Sequence, residues 1–373
     1  MREKKGLAII YDPHNLYQFI WYYCNQGKAK SWDALCLPNG GNGEYMHTFC
    51  EKSDIFENIY CSDDDFSSMV IKDKIKIFLS MIRNFAIGKK KYYCKKMLSE
   101  YVNLEVYDEI TVIADVGMLS GACVALGQEK KVVIFEDGIN DFGNRPMMIP
   151  KRKIFSTYSW QGFLLSKMGY CSPGWFYFSA DKFCIKYSSH PEKMKYRGYK
   201  EIRQLYEKKG TDEELFHNIL SRVYPMLKSY NFREAEAILV TRPLDDYVSD
   251  IGVYQKRLES YISKNYKSII LKKHPRENTN YNFEENVCVQ EIDKSIPVEA
   301  LLPYFKGKEI IMVTTSAVML YLKAYDLKCK LINFEGLYEE SIRTNSPFKP
   351  LVENEMKNFA DEFAYESYKI IKL

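Results

Sequence analysis

Histidine and tryptophan are scarce here, five and four residues among 373, and none of the ten cysteines stands in a CxxC pair or a Cys/His cluster of zinc spacing. That pattern excludes a zinc-ribbon or zinc-finger module. Several cysteines sit inside apolar runs, where a thiol packs as a small hydrophobe. Long hydrophobic runs are missing too. No segment reaches the roughly 20 apolar residues of a membrane span. The charged start Met1–Gly6 leads into one strand-length run, not the core of a signal peptide. Charge of one sign is not in excess: 53 Lys and Arg face 49 Asp and Glu, for a net charge of +4. A nucleic-acid binder concentrates a larger basic surplus on one face. Internal repeats and low-complexity tracts are also missing. These absences set the expectation of a reduced, cytoplasmic protein with no nucleic-acid partner.

What is present is apolar and aromatic bulk, 46% and 15% of the residues. A chain of this length exceeds one ordinary core, so two domains are expected. Both halves alternate short apolar runs with longer amphipathic ones, the pattern of βαβ units. In the first half the pattern predicts strands at Gly6–Tyr11, Trp32–Leu37, Asn58–Cys61, Glu109–Ala114 and Val132–Phe135. Helices are predicted at Asn15–Cys24, Ser67–Leu98 and Met118–Leu126. In the second half strands are predicted at Ala237–Thr241, Ser268–Lys272, Val287–Gln290, Ile310–Val313 and Leu331–Phe334. Continuous apolar strands of this kind suit a parallel sheet covered on both faces. The Tyr- and Lys-rich stretch 151–232 carries helix signals at Gly198–Lys209 and Thr211–Tyr230, with a hinge near Asn231–Glu236. The expected fold class is therefore α/β, two Rossmann-like domains over residues 1–232 and 233–350. An amphipathic helix in 351–373 is expected to cross back onto the first domain.

Open parallel sheets bind ligands at the carboxyl ends of their strands, and four such ends carry candidate chemistry. Phe135-Glu136-Asp137-Gly138 follows an apolar strand. Two adjacent acids repel, which raises one pKa and suits a general base, while Gly138 permits a tight turn. An acid there also caps a following helix. Lys272-Lys273-His274-Pro275-Arg276 follows another strand. Pro275 holds His274 out of helical conformation, among cations, where it can meet a phosphate. A basic surface loop has the same composition. Thr314-Thr315-Ser316 lies where a strand passes into a predicted helix, an arrangement that serves either an anion site or an ordinary N-cap. Tyr11-Asp12-Pro13-His14-Asn15 can touch a sugar through His14 and Asn15, or simply open a helix.

In order and spacing the set resembles the signature of bacterial sialyltransferases of GT-B fold, the group that includes lipooligosaccharide, capsular and polysialic-acid enzymes. Glu136-Asp137-Gly138 is similar to their acid-acid-Gly motif, His274-Pro275 to their His-Pro motif and Thr315-Ser316 to their Ser/Thr pair. Thr241-Arg242-Pro243-Leu244 looks like a Pro-Leu turn of several members, and Ile296-Pro297-Val298-Glu299 like the segment whose Glu holds a cytidine ribose. The resemblance implies GT-B architecture, with two parallel sheets facing across a cleft, an acceptor-binding first domain and a CMP-donor-binding second one. It implies Asp137 as general base supported by Glu136, and His274 facing the donor phosphate. Thr314, Thr315 and Ser316 supply the two phosphate-binding hydroxyls, Glu299 takes the ribose, and Lys273, Pro275, Arg276, Thr241 and Arg242 line the donor site. His14, Asn15 and Gly138 would contact the acceptor or donor sugar.

The expected reaction is transfer of a sialic acid from CMP-sialic acid to a glycan hydroxyl with inversion. The donor is a substrate and no cofactor is expected. A single phosphate requires no metal clamp, although Asp63-Asp64-Asp65 is a DxD-like run that can hold a divalent ion or start a helix. A donor such as CMP-Kdo, a nucleotide-sugar epimerase or hydrolase, and a non-catalytic scaffold remain alternatives. Lys89–Lys91, Lys95 and Lys96, interleaved with Tyr92 and Tyr93, can lie against the inner membrane face, grip an anionic glycan or form a solvated face. Oligomeric state, including a homodimer, stays open.

Overall fold

The computed structural model describes residues 4–37, 43–62, 76, 79–80, 83, 87, 92–113, 123–124, 126–136, 184–194, 199–206, 212–313, 317–322, 325, 327–346, 350, 352–363 and 368–373. Two compact units divide the chain, Met1–Pro225 and Met226–Leu373. The division lies N-terminal to the hinge expected after residue 232, at the turn that follows the last helix of the first unit.

The first unit is built on strands β1 (Lys5–Ile10), β2 (Ser31–Cys36), β3 (Phe56–Cys61), β4 (Glu109–Ile113), β5 (Lys131–Phe135), β6 (Cys184–Ser188) and β7 (Glu201–Gln204). Their order in the sheet is β3-β2-β1-β4-β5-β6-β7, and every neighbouring pair is parallel. The second unit holds β8 (Ala237–Val240), β9 (Ser268–Lys272), β10 (Cys288–Ile292), β11 (Glu309–Val313), β12 (Lys328–Asn333) and β13 (Tyr368–Lys372) in the order β10-β9-β8-β11-β12-β13, again all parallel. Counted from its own first strand, each sheet contains the Rossmann order 3-2-1-4-5-6, which reverses direction beside its first strand, and the first sheet adds a seventh strand at the far edge. The expected pair of Rossmann-like α/β domains is what the structure shows.

Helices α1 (Pro13–Tyr22), α2 (Gly43–Ser53), α3 (Tyr92–Ser99) and α4 (Glu213–Val223) belong to the first unit. In the second are α5 (Gly252–Asn265), α6 (Leu337–Arg343) and α7 (Glu353–Phe363). Asp212 caps α4 by accepting from the Leu215 N–H at 3.0 Å, and the helix buries Phe216, Ile219, Leu220 and Val223 on one stripe. Core strands are buried on both faces, as in Ala237–Val240, and each buried Ile, Leu or Val side chain contributes about 1.5–3 kcal/mol. Cys24, Cys36, Cys50 and Cys329 are buried thiols.

The two sheets share a device at the amino ends of their strands. Glu109, the first residue of β4, is buried and accepts from the Tyr22 hydroxyl while pairing with Lys30 and, at 3.2 Å, Lys131 of β5. Glu309, the first residue of β11, accepts from the Tyr266 hydroxyl and pairs with Lys330 of β12 at 3.0 Å. In both, the lysine also donates to the tyrosine, at 2.8 and 2.7 Å. Tyr22 is the last residue of α1, and Tyr266 is the residue that caps the carboxyl end of α5. Burial, followed by the neighbouring carboxylate, raises both phenol pKa values and keeps the hydroxyls as donors.

Three expectations need correction. The helix signal at Gly198–Lys209 overlaps β7, which pairs with β6 from Ile185↔Glu201 to Ser188↔Gln204. Glu201–Gln204 are good helix formers, and the ladder to β6 overrides that local preference. The C-terminal helix stops at Phe363, and Tyr368–Lys372 joins the second unit's sheet beside β12. The helix predicted after β11 is, where described, a 3-10 turn over Ala317–Tyr321. A long α-helical dipole behind Thr314–Ser316 is therefore not part of the described structure.

Candidate functional site

In the second unit the carboxyl ends of β8 and β9 bring several expected residues together. Thr241 follows β8 and prolongs the ladder, its N–H reaching the Lys272 carbonyl at 3.1 Å. Lys272 ends β9, and His274-Pro275-Arg276-Glu277 then forms a tight turn closed by the Glu277 N–H on the His274 carbonyl at 2.9 Å. Pro275 takes the second position of that turn, which its fixed φ favours. Within it the Arg276 N–H donates to Nδ1 of His274 at 3.2 Å. With Nδ1 accepting, the neutral ring carries its proton on Nε2. Burial lowers the His274 pKa to about 4, helped by the positive charges of Arg242, Arg276 and Lys272 and opposed by Asp246. The ring is consequently a neutral Nε2–H donor near pH 7.

The cations around it are individually held. Arg276 makes a two-point contact with Asp246 at 3.1 and 2.8 Å, and Lys273 pairs with Glu291 at 2.9 Å. The Lys272 ammonium, nearly inaccessible, donates to the Lys273 carbonyl at 2.8 Å and the Lys294 carbonyl at 3.2 Å. Burial lowers its pKa to about 8 against the raising effect of Glu299, Asp293 and Glu277. Glu299 lies in a 3-10 turn entered by Pro297, is buried, and acts on Lys272 through its charge. Thr241, Lys273, His274, Pro275, Arg276 and Glu299 therefore belong to one region of this unit, and the charge of Arg242 is felt at the His274 ring.

Sequence reasoning missed Glu277, Lys272 as a buried cation, and Tyr281. Glu277 is fully buried and accepts from Thr241 Oγ1 at 2.5 Å and Tyr281 Oη at 2.6 Å. Its one sequence signal is an acid three residues after His274, a spacing that lets a side chain reach back to the start of a turn.

In the first unit, Glu136 directly follows β5 and is fully buried. Its Oε2 accepts from the Ser189 N–H at 2.7 Å, Ser189 Oγ at 2.9 Å and Ser188 Oγ at 3.3 Å. The carboxylate thus fastens the end of β5 to the end of β6. Gln18 of α1 donates to the Glu136 carbonyl at 3.1 Å. Asp12 caps α1 through the Asn15 N–H at 2.9 Å, and Asn15 Oδ1 accepts from the Tyr11 N–H at 3.0 Å. Asn15 Oδ1 thus serves the helix entry, while its buried Nδ2 has no hydrogen-bond partner among the described residues. His14 is half-buried beside it. Asp137, Gly138, Thr314, Thr315 and Ser316 lie outside the described residues, as do Asp63–Asp65 and Lys89–Lys91. Lys95 and Lys96 are exposed on α3.

Among the described residues no His, Cys, Asp and Glu cluster is arranged to hold a metal ion, and no helix is long and apolar enough to cross a membrane.

A family model described as Alpha-2,8-polysialyltransferase (POLYST) matches residues 83–329, more than half of the chain. No curated protein matches. Among solved structures the chain is similar to the glycosyltransferase SnogD from Streptomyces nogalater, at 13% identity over 88% of this chain and 81% of that one, with a TM-score of 0.45. It is also similar to Arabidopsis thaliana UGT89C1 complexed with quercetin, at 10% identity over 98% and 90% of the two chains, TM-score 0.47. UDP-GlcNAc 2-epimerase from Neisseria meningitidis bound to UDP-GlcNAc matches at 10% identity over 96% and 90%, TM-score 0.45.

Proposed function

The chain belongs to the alpha-2,8-polysialyltransferase family and is a glycosyltransferase, and from that premise we propose that it moves a sialic acid from a CMP donor to a glycan hydroxyl with inversion. The observation that carries the donor reading is the His274 turn. A neutral Nε2–H donor and a buried carboxylate, Glu299, stand at the carboxyl ends of one Rossmann-like sheet, beside Arg242, Lys272, Lys273 and Arg276. That is a set able to take one phosphate and a ribose.

In this reading His274 donates from Nε2 to the phosphate as CMP leaves, stabilising charge that grows in the transition state. The neutral ring keeps its Nε2 proton throughout and acts as a hydrogen-bond donor alone, because giving that proton up would leave an imidazolate. Glu299 accepts from the ribose hydroxyls. Two of Thr314, Thr315 and Ser316 would add donors to the phosphate. Asp137 would take the acceptor proton as the hydroxyl attacks the anomeric carbon. Glu136 serves by holding the strand end from which Asp137 departs. A single phosphate carries less charge than a diphosphate, so the proposal includes no metal. The work would be cytoplasmic, with the glycan acceptor presented at the inner membrane face.

The test is release of nucleotide from CMP-Neu5Ac, CMP-Kdo and a UDP-sugar in EDTA, with and without an oligosialic acceptor. Turnover of CMP-Neu5Ac alone is expected. Turnover of CMP-Kdo alone would move the donor to an octulosonic acid. Turnover of the UDP-sugar alone, or strong inhibition by EDTA, would sink the proposal and return attention to Asp63–Asp65.

A further inference from the structure

The carboxylate of Glu277 is completely buried, yet its described contacts are to hydroxyls and an amide. Oε2 accepts from Thr241 Oγ1 at 2.5 Å and from the His274 N–H at 3.4 Å, and Oε1 accepts from Tyr281 Oη at 2.6 Å. The Glu277 N–H in turn holds the His274 carbonyl at 2.9 Å. One residue therefore ties both main-chain groups of His274, the end of β8 and the segment after the turn. The reach of Glu277 back to the amide three residues earlier has the geometry of a capping box, with Pro275 setting the turn between them. Burying a carboxylate without a contacting cation is expensive. A turn that needed only packing would do as well with an apolar side chain, so the charge is kept for the strength and direction of its hydrogen bonds.

We infer that Glu277 is the positioning residue of this site: by binding the His274 amide, Thr241 and Tyr281 together, it fixes the His274 ring so that Nδ1 faces the Arg276 amide and Nε2–H points away as the working donor. The groups whose charges bear on that ring are Arg242, Arg276, Lys272 and Asp246. Glu277 acts on it through geometry. Tyr281 completes the clamp, its phenol pKa raised by burial and then by Glu277, so it remains a donor to the carboxylate. The phosphate-facing role of His274 rests on the proposed function; the clamp itself does not.

The experiment is nitrogen-detected NMR of the full chain labelled at histidine, with His274→Gln identifying the signal among five histidines. In the intact chain the ring should be the Nε2–H tautomer with a midpoint near about 4. In Glu277→Gln the single-tautomer pattern should be lost, with Nδ1–H and Nε2–H forms both populated. A folded Glu277→Gln variant with an unchanged tautomer overturns the inference, even if it melts earlier, because a merely structural glutamate would do that. If that variant does not fold, Thr241→Val removes one arm of the clamp and is read in the same way. A shifted His274 signal supports the clamp and an unshifted one overturns it. The readout needs no donor turnover. A chain inactive on CMP donors would therefore overturn the donor reading alone and leave the Glu277 result standing.

Discussion

His274 and Lys272 show how one strand end can set two charge states in opposite ways. Both are pushed toward their neutral forms by burial, His274 to about 4 and Lys272 to about 8. At pH 7 the first is neutral and the second still charged. Replacing His274 with Ala removes a transition-state donor without emptying the core. Transfer should fall by about 100-fold or more, while the melting temperature stays near that of the parent; near-parental turnover would remove His274 from the mechanism. Asp137→Ala should abolish transfer in the same assay. Lys272 gives the pH dependence. Its folded pKa is depressed, so above about 8 it loses its charge, and attraction for the donor phosphate goes with it. Calorimetric affinity for CMP should weaken as pH rises through that value. A flat profile would mean that Lys272 does not feel the phosphate. The stability effect has the opposite sign. The burial penalty on the charged form is present below about 8 and is relieved as pH rises toward ~10.4, the unfolded value.

At the scale of elements, β1 and β2 are set by a glycine. Gly6 pairs with Trp32 across the two strands, and a Cβ at Gly6 would lie 2.4 Å from the indole Cε3 and Cζ3. The indole cannot yield easily. It is fully buried, packs edge-on to Phe19 at 4.9 Å, and donates from Nε1 to the Gly27 carbonyl at 2.9 Å. Gly6→Ala should therefore cost about 1–3 kcal/mol through overpacking, read as a lower urea midpoint with an unchanged slope. A neutral result would mean that the strands can part at no cost. The strands that sequence reasoning found are those with continuous apolar runs, such as Ile9–Ile10 in β1 and Ile310–Val313 in β11. It missed β6, β7 and β13: β6 is fully buried but its short run is broken by Lys186, while β7 and β13 hold charged or half-buried residues and become strands because a neighbouring strand offers unpaired backbone groups.

At the scale of the molecule, two units with the same strand order suggest a division of labour, with the proposed donor groups on Met226–Leu373. CMP at about 100 times its dissociation constant should stabilise the unit that binds it by about 2.7 kcal/mol. Scanning calorimetry combined with limited proteolysis should show that gain in Met226–Leu373. Protection confined to Met1–Pro225 would reverse the assignment.

The sequence by itself determined the α/β class, the pair of Rossmann-like units and most core strands, because apolar periodicity is a local property of the chain. It also placed His274-Pro275 and Glu136 at strand ends, because proline, glycine and acid turns punctuate strands locally. Only the tertiary structure decided what those residues do there. Glu136 places its Oε2 on Ser188 and Ser189, Asn15 Oδ1 serves the helix entry, and Glu277 emerges as the hub beneath His274. Burial and hydrogen-bond partners come from residues distant in the chain, 52 positions for Glu136 and Ser188 and 36 for Thr241 and Glu277, and no local pattern records them.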